Sequence, residues 1–232
     1  MDPGVLEAMR RWPNVPAVYG WLSLTPRGEW RLHPMGDAMQ GGYGEGISNT
    51  QILSFINRNY VSDQEGTWFF QNGPQRVFVR IDAAPLILRL DANAGQIVTH
   101  HGQVIQQVRH WWIDDIGRLF AQTDAGPGMV DDRDLMQIGD VLHSDKGMPL
   151  IDWLEQAEAE PGHDAGTDTA DRSPSLPAER MATNITDPSG VFAALMDPAP
   201  LDRVNAHQVP ACLGFVANPA PPPPHQANQA LE

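Results

Sequence analysis

Thr67-Trp68-Phe69-Phe70-Gln71-Asn72-Gly73-Pro74-Gln75-Arg76-Val77-Phe78-Val79-Arg80-Ile81-Asp82, followed after Ala83-Ala84 by Pro85-Leu86-Ile87-Leu88-Arg89-Leu90, is the most apolar, β-branched and aromatic part of the chain. Val77, Val79 and Ile81 alternate with Phe78, Arg80 and Asp82. A period of two places these sets on opposite faces of a strand, the first apolar enough for a core. Asn72-Gly73 marks a hairpin because both residues tolerate positive φ. Pro74 has no N–H to give a ladder, which predicts a turn longer than two residues. The stretch is expected to form the centre of an antiparallel sheet.

On its N-terminal side, residues 15–24 and 29–33 read as a first hairpin closed by Thr25-Pro26-Arg27-Gly28, with Trp21 and Trp30 facing each other. Residues 41–46, Gly-Gly-Tyr-Gly-Glu-Gly, suggest a phosphate cradle at first sight. They lack the Lys-Ser/Thr ending and the third glycine of the dinucleotide pattern, and Glu45 repels phosphate, so a flexible crossover is the favoured reading. A helix follows, with Ser48 and Gln51 as a capping box, Ile47 and Ile52 as a hydrophobic staple, and Ile52, Leu53, Phe55, Ile56 and Tyr60 as its apolar stripe. Residues 61–66 read as a polar turn. On the C-terminal side come strands at 96–99, 104–113 and 118–123, a break at 124–128, and a second helix capped by Asp131 or Asp132. Short connections favour antiparallel neighbours.

The expected class is α+β: an antiparallel, strongly curved sheet or small sandwich with two helices packed against it, plus a largely irregular, acidic, proline-rich C-terminal arm. Composition marks the boundary. Of 232 residues with a formal charge of −14, residues 1–150 hold 17 acidic and 12 basic side chains, and residues 151–232 hold 12 and 3. The second part has 12 of the 21 prolines and one of the 7 tryptophans, Trp153. Too little apolar area is left there to offset chain entropy. The domain is therefore placed at 10–145, an acidic mobile linker with short helical segments (149–160 and 191–196) at 146–208, and a disordered tail at 218–232.

Residues 209–217 stand apart. Val209-Pro210-Ala211-Cys212-Leu213-Gly214-Phe215-Val216 echoes Val15-Pro16-Ala17-Val18-Tyr19-Gly20-Trp21-Leu22, with four identities. Three arrangements fit: an extra strand folding back on the domain, a free tail, or a strand docked on a second molecule in a strand-exchanged homodimer.

The charge argues against nucleic acid and anionic membranes. No run approaches a membrane span and no leader is evident, so a cytoplasmic location is expected. One cysteine, Cys212, excludes an internal disulfide or a cysteine metal cluster. Two kinds of cluster are candidates for chemistry, paired carboxylates and adjacent histidines. Adjacent His100 and His101 point apart, and Asp114-Asp115 and Asp131-Asp132 have structural reasons at a turn and a helix start. No hydrolase elbow, zinc-protease or Walker motif occurs. No cofactor, metal or catalytic residue is assigned. The favoured reading is a non-enzymatic binding or adaptor module taking a protein or peptide through a sheet edge near residues 15–24, with Tyr19, Trp21, Trp68 and Trp112 as binding residues. The alternative is a small metal-dependent or acid–base hydrolase using His100, His101, His110, Asp114 and Asp115.

The strings WPNVPAVYGWLSL (12–24) and FINRNYVSDQEGTWFFQNGPQRVFV (55–79) resemble a bacterial family of uncharacterised proteins, a domain of unknown function. The resemblance implies a bacterial, intracellular, single-domain protein and no activity.

Overall fold

The structure is a computed structural model describing residues 1–159 and 178–222. It is α+β with mostly antiparallel sheets, and it divides into two compact units: Met1–Pro85 with the residues from Gly214, and Leu86–Leu213. A boundary between residues 85 and 86 falls inside the single domain expected at 10–145.

The first unit contains α1 (Pro3–Arg11), β1 (Val18–Leu24), β2 (Trp30–Leu32), β3 (Glu45–Gly46), α2 (Thr50–Arg58), β4 (Tyr60–Ser62), β5 (Trp68–Asn72) and β6 (Gln75–Ile81). The sheet order is β3-β2-β1-β6-β5-β4. β1 runs parallel to β6 and every other pair is antiparallel. The central alternation holds: Val79 and Ile81 are buried, Arg80 lies on the other face, and Phe78 is buried by an aromatic stack with Tyr19.

Several local readings change. Asn72 pairs with Gln75, so the hairpin turn is the two residues Gly73-Pro74. Gly73 takes φ 58°, and the missing N–H of Pro74 costs nothing because a turn residue makes no ladder bond. Leu24, not Trp21, lies opposite Trp30. The helix cap is Asn49, whose Oδ1 accepts from the backbone N–H of Gln51 (2.9 Å) and Ile52 (3.1 Å). Tyr60 leaves the helix to open β4, where its ring packs on Trp30 and Trp68.

β1 is an interior strand, with β2 on one side and β6 on the other. The expected partner edge near residues 15–24 does not exist there, because its backbone groups are already paired. The edges of this sheet are β3 and β4, of two and three residues. Strands that short offer little template to a second chain.

The second unit contains β7 (Leu86–Asp91), β8 (Gln96–Thr99), β9 (Val104–Ile105), β10 (Val108–Asp114), β11 (Leu119–Thr123), β12 (Gly126–Val130), α3 (Leu135–Val141), β13 (His143–Ser144), α4 (Leu150–Ala159), β14 (Ala178–Thr186), β15 (Ala199–Val204) and α5 (Val209–Leu213). The sheet order is β13-β14-β15-β10-β11-β12-β7-β8-β9, with β10/β15 and β12/β7 parallel. The strand expected over 104–113 is two strands, because the Gln106 and Gln107 amides turn out to bond Asp124 Oδ1. The glycine-rich break at 124–128 is largely β12. A Cβ at Gly128 would lie 2.9 Å from the Leu88 side chain, so only glycine fits that close approach.

The acidic arm also contributes strands to the second sheet. Residues 178–204 supply β14 and β15, and Ile185, Phe192, Leu195, Leu201 and Val204 are buried. These side chains are sparse along the chain, but β15 gains a ladder from β10 over Leu201–Val204 and a second from β14. A short 3-10 turn occupies Ala193–Leu195 within the helical segment expected at 191–196. The middle of the expected linker, 160–177, and the tail from 223 lie outside the described residues. Residues 209–217 are not a strand: 209–213 form α5, and the chain beyond returns to the first unit. There the Ala217 carbonyl accepts from the Ile81 amide (2.7 Å) and the Gly66 carbonyl from the Val216 amide (3.1 Å). The echo with 15–22 therefore reflects no shared secondary structure.

Candidate binding sites on the two faces of the first sheet

Leu32 and Arg31 of β2 point to opposite faces, and each opens onto a different cavity. On the Leu32 face, α2 lies across the sheet. Ile56 is buried, Phe55 meets Phe70 edge-on at 5.5 Å, and Trp30 Nε1 donates to Asn57 Oδ1 at 2.8 Å. The helix does not cover the sheet to its end. A groove of about 850 Å³ remains, with Val18, Leu22, Ile47, Phe55 and Val77 among its lining. Trp21, Leu32 and Ile52 also line it and are 45%, 43% and 49% exposed. Large apolar side chains left in water around one concave surface make it a candidate binding site.

A bulge places Trp21 there. The register of β1 on β6 shifts between Val18 and Leu22. Gly20 takes φ 81°, and a Cβ on it would stand 2.4 Å from the Gly36 carbonyl oxygen. The His33 amide then bonds the Trp21 carbonyl at 2.9 Å. Re-aiming a side chain is a common use of a bulge.

On the opposite face, register brings Arg31, Ser23 and Arg80 into one row across β2, β1 and β6. The glycine-rich loop roofs this row. Arg80 donates to the carbonyls of Ala38 (2.7 Å) and Gly42 (3.0 Å) and to Asp82 (2.7 Å). Arg31 donates to the Tyr43 carbonyl at 3.2 Å. The loop is thus clasped by arginines rather than being a loose crossover. Ser23 Oγ lies 2.8 Å from His33 Nε2, and His33 Nδ1 lies 3.3 Å from Asp37 Oδ1. Ser, His and Asp in this order have the connectivity of a nucleophilic triad. Ser23 and His33 are both fully buried, so no substrate reaches the hydroxyl, and the three act as an internal brace. Beside them a cavity of about 460 Å³ is lined by Arg27, Arg31, Arg80, Glu29, Asp82 and the loop.

Of the four aromatic residues expected to bind, Trp21 alone is exposed. Tyr19 is half-buried, stacked on Phe78 with ring centres 4.6 Å apart. Trp68 is buried in the first unit, and Trp112 is buried in the second against His110. The residues named for hydrolysis do not converge. Ile87 N–H donates to His100 Nδ1 (3.2 Å), His110 bonds Asp202 (2.9 Å), Asp115 accepts from the Ala206 amide (2.7 Å), and Asp114 is held by Arg118 (2.6 Å). Among the described residues no three His, Cys, Asp or Glu side chains come together as metal ligands. Burial pushes the His100 imidazole well below its ordinary value and, less strongly, that of His101. Burial, with Asp202 nearby, raises the Cys212 thiol, the opposite of an activated nucleophile. Leu32, Ile52 and Arg31 were missed as site residues. Their signal was Ile47 and Ile52, apolar side chains on either side of the Asn49 cap, and an arginine alternating with apolar residues in β2.

Fold and sites together define an α+β protein of two compact units with open concave surfaces on the sheet of the first. Residues 1–220 match the model of the DUF2944 family, described as "Protein of unknown function (DUF2946)", and the chain belongs to that family. No curated protein matches the chain. Two crystal structures are similar to it. A DUF1285 family protein from Silicibacter pomeroyi DSS-3 is 14% identical over 62% of this chain and 86% of that one, with a TM-score of 0.41. A DUF1285 family protein from Shewanella baltica OS155 is 12% identical over 51% and 90%, with a TM-score of 0.37. Among the described residues no helix is long and apolar enough to cross a membrane.

Proposed function

We propose that this protein is a non-enzymatic binding module whose groove between α2 and the first sheet takes apolar side chains of a partner peptide or protein. The observation that carries this is the exposure of Trp21, Leu32 and Ile52 around an apolar concavity of about 850 Å³. Asn72 and Gln51 at the same groove carry amides that can meet peptide groups. The formal charge of −14 favours a protein partner over nucleic acid. Binding thus runs through the open face of the sheet rather than through an edge. The test is photo-crosslinking in the native host, with a benzophenone residue at position 21, 32 or 52 and a control at Met136, exposed in the second unit. A discrete crosslinked protein from the groove positions and none from the control is expected. No adduct from any groove position overturns the reading.

A further inference from the structure

We propose that the cavity roofed by the glycine-rich loop binds a small phosphomonoester. It lies on the face of the first sheet opposite the apolar groove and does not depend on the partner reading above.

In a chain carrying 29 acidic and 15 basic side chains, three arginines line this one cavity against two carboxylates. The three are not equivalent. Arg80 bonds both oxygens of Asp82 and the carbonyls of Ala38 and Gly42, so its charge is matched and its donors are spent on the loop. It is a positioning residue. Arg31 is different. From Nη1 it makes a 3.2 Å bond to the Tyr43 carbonyl, and Glu29 stands 3.8 Å from Nη2, beyond hydrogen-bond reach. A guanidinium carries five donors in a fork that matches phosphate oxygens. Arg31 therefore keeps unused donors beside a cavity that Arg27 also lines.

The loop adds the second recognition element. Tyr43 is 84% exposed, and the Arg31 guanidinium lies 5.0 Å from its ring centre. That contact sets the ring at the cavity, where it can receive a planar group attached to the phosphate. The loop's own amides are not the cradle, since Gly41 and Gly42 N–H groups already bond Ala38 and Asp37 carbonyls. At about 460 Å³ the space suits a small ligand rather than a polymer. Glu29 is the competing anion, and phosphate displaces it from Arg31.

Calorimetric titration of the full chain with inorganic phosphate and with phenyl phosphate, at constant ionic strength, tests this. Saturable binding of both is expected, tighter for phenyl phosphate. Arg31→Gln weakens both at least tenfold, Arg31→Lys weakens them less, and Arg109→Gln, on the second unit, changes neither. Tyr43→Ala removes the advantage of phenyl phosphate and leaves phosphate itself unchanged. Glu29→Gln strengthens phosphate binding several-fold, which keeps the test intact if Arg31→Gln disturbs folding. Absence of saturable phosphate binding, or affinity unmoved by Arg31→Gln and by Glu29→Gln, overturns the proposal.

Discussion

Ser23 Oγ and His33 Nε2 lie 2.8 Å apart, with both side chains fully sealed from water. His33 reaches Asp37 with its other ring nitrogen, so one imidazole ties β1 to the start of the loop that covers the arginine row. Replacing it with an apolar residue strands a buried hydroxyl, which costs about 1–3 kcal/mol. His33→Leu is therefore expected to lower the unfolding free energy by that amount, read as a lower urea midpoint at unchanged m-value. A variant as stable as the parent would show that the brace is dispensable.

Ile52 and Ile56, one turn apart on α2, separate the groove rim from the core. Ile56 is 3% exposed and Ile52 is 49% exposed. Ile56→Ala should cost about 2–5 kcal/mol through the cavity it leaves. Ile52→Ala should cost less than about 1 kcal/mol and act on partner binding instead. Equal losses in thermal unfolding would mean that the groove is closed in solution.

Gly66 is pinned by the returning chain. It takes φ 76°, and a Cβ there would stand 2.1 Å from the Gly214 carbonyl oxygen. Gly66→Ala is expected to destabilise by more than about 1 kcal/mol, because both strain and a clash oppose it. Hydrogen exchange should report where: the Ile81 and Val216 amides, which bond Ala217 and Gly66, exchange faster in the variant. Fast exchange at both amides in the parent protein would refute the docked arrangement of 214–217.

His100 makes stability pH-dependent in a definite direction. Its imidazole is held neutral, chiefly by burial and then by the charges of His101 and Arg89, so its folded pKa lies well below the unfolded value of about 6.5. As pH falls below about 6.5 the unfolded chain binds a proton that the folded chain refuses, and stability drops. His100→Gln can still accept the Ile87 amide while removing this titration. Denaturant midpoints from pH 7.5 to 5 should fall less steeply for the variant; parallel curves would dismiss His100 as the source.

Local chemistry made much of this molecule legible. Alternation in residues 77–82, the Thr25–Gly28 turn and the existence of α2 each depend on residues within a few positions. Steric preference and period suffice to read such features. The β2 alternation likewise carried the information that Arg31 and Leu32 face opposite ways. Trp68 and Trp112 show the limit: a large aromatic side chain reads the same whether it ends in a core or at a surface.

Pairing between distant segments was decided by tertiary structure alone. β1 lies parallel to β6 across more than fifty residues, which turned an apparent edge into an interior strand. β15 lies parallel to β10, which drew an acidic, proline-rich stretch into a sheet. A strand's own residues state which face it buries, but its neighbour is set by ladder bonds and side-chain packing between parts of the chain that share no local signal. The arginine row exists only because β2, β1 and β6 came to lie side by side.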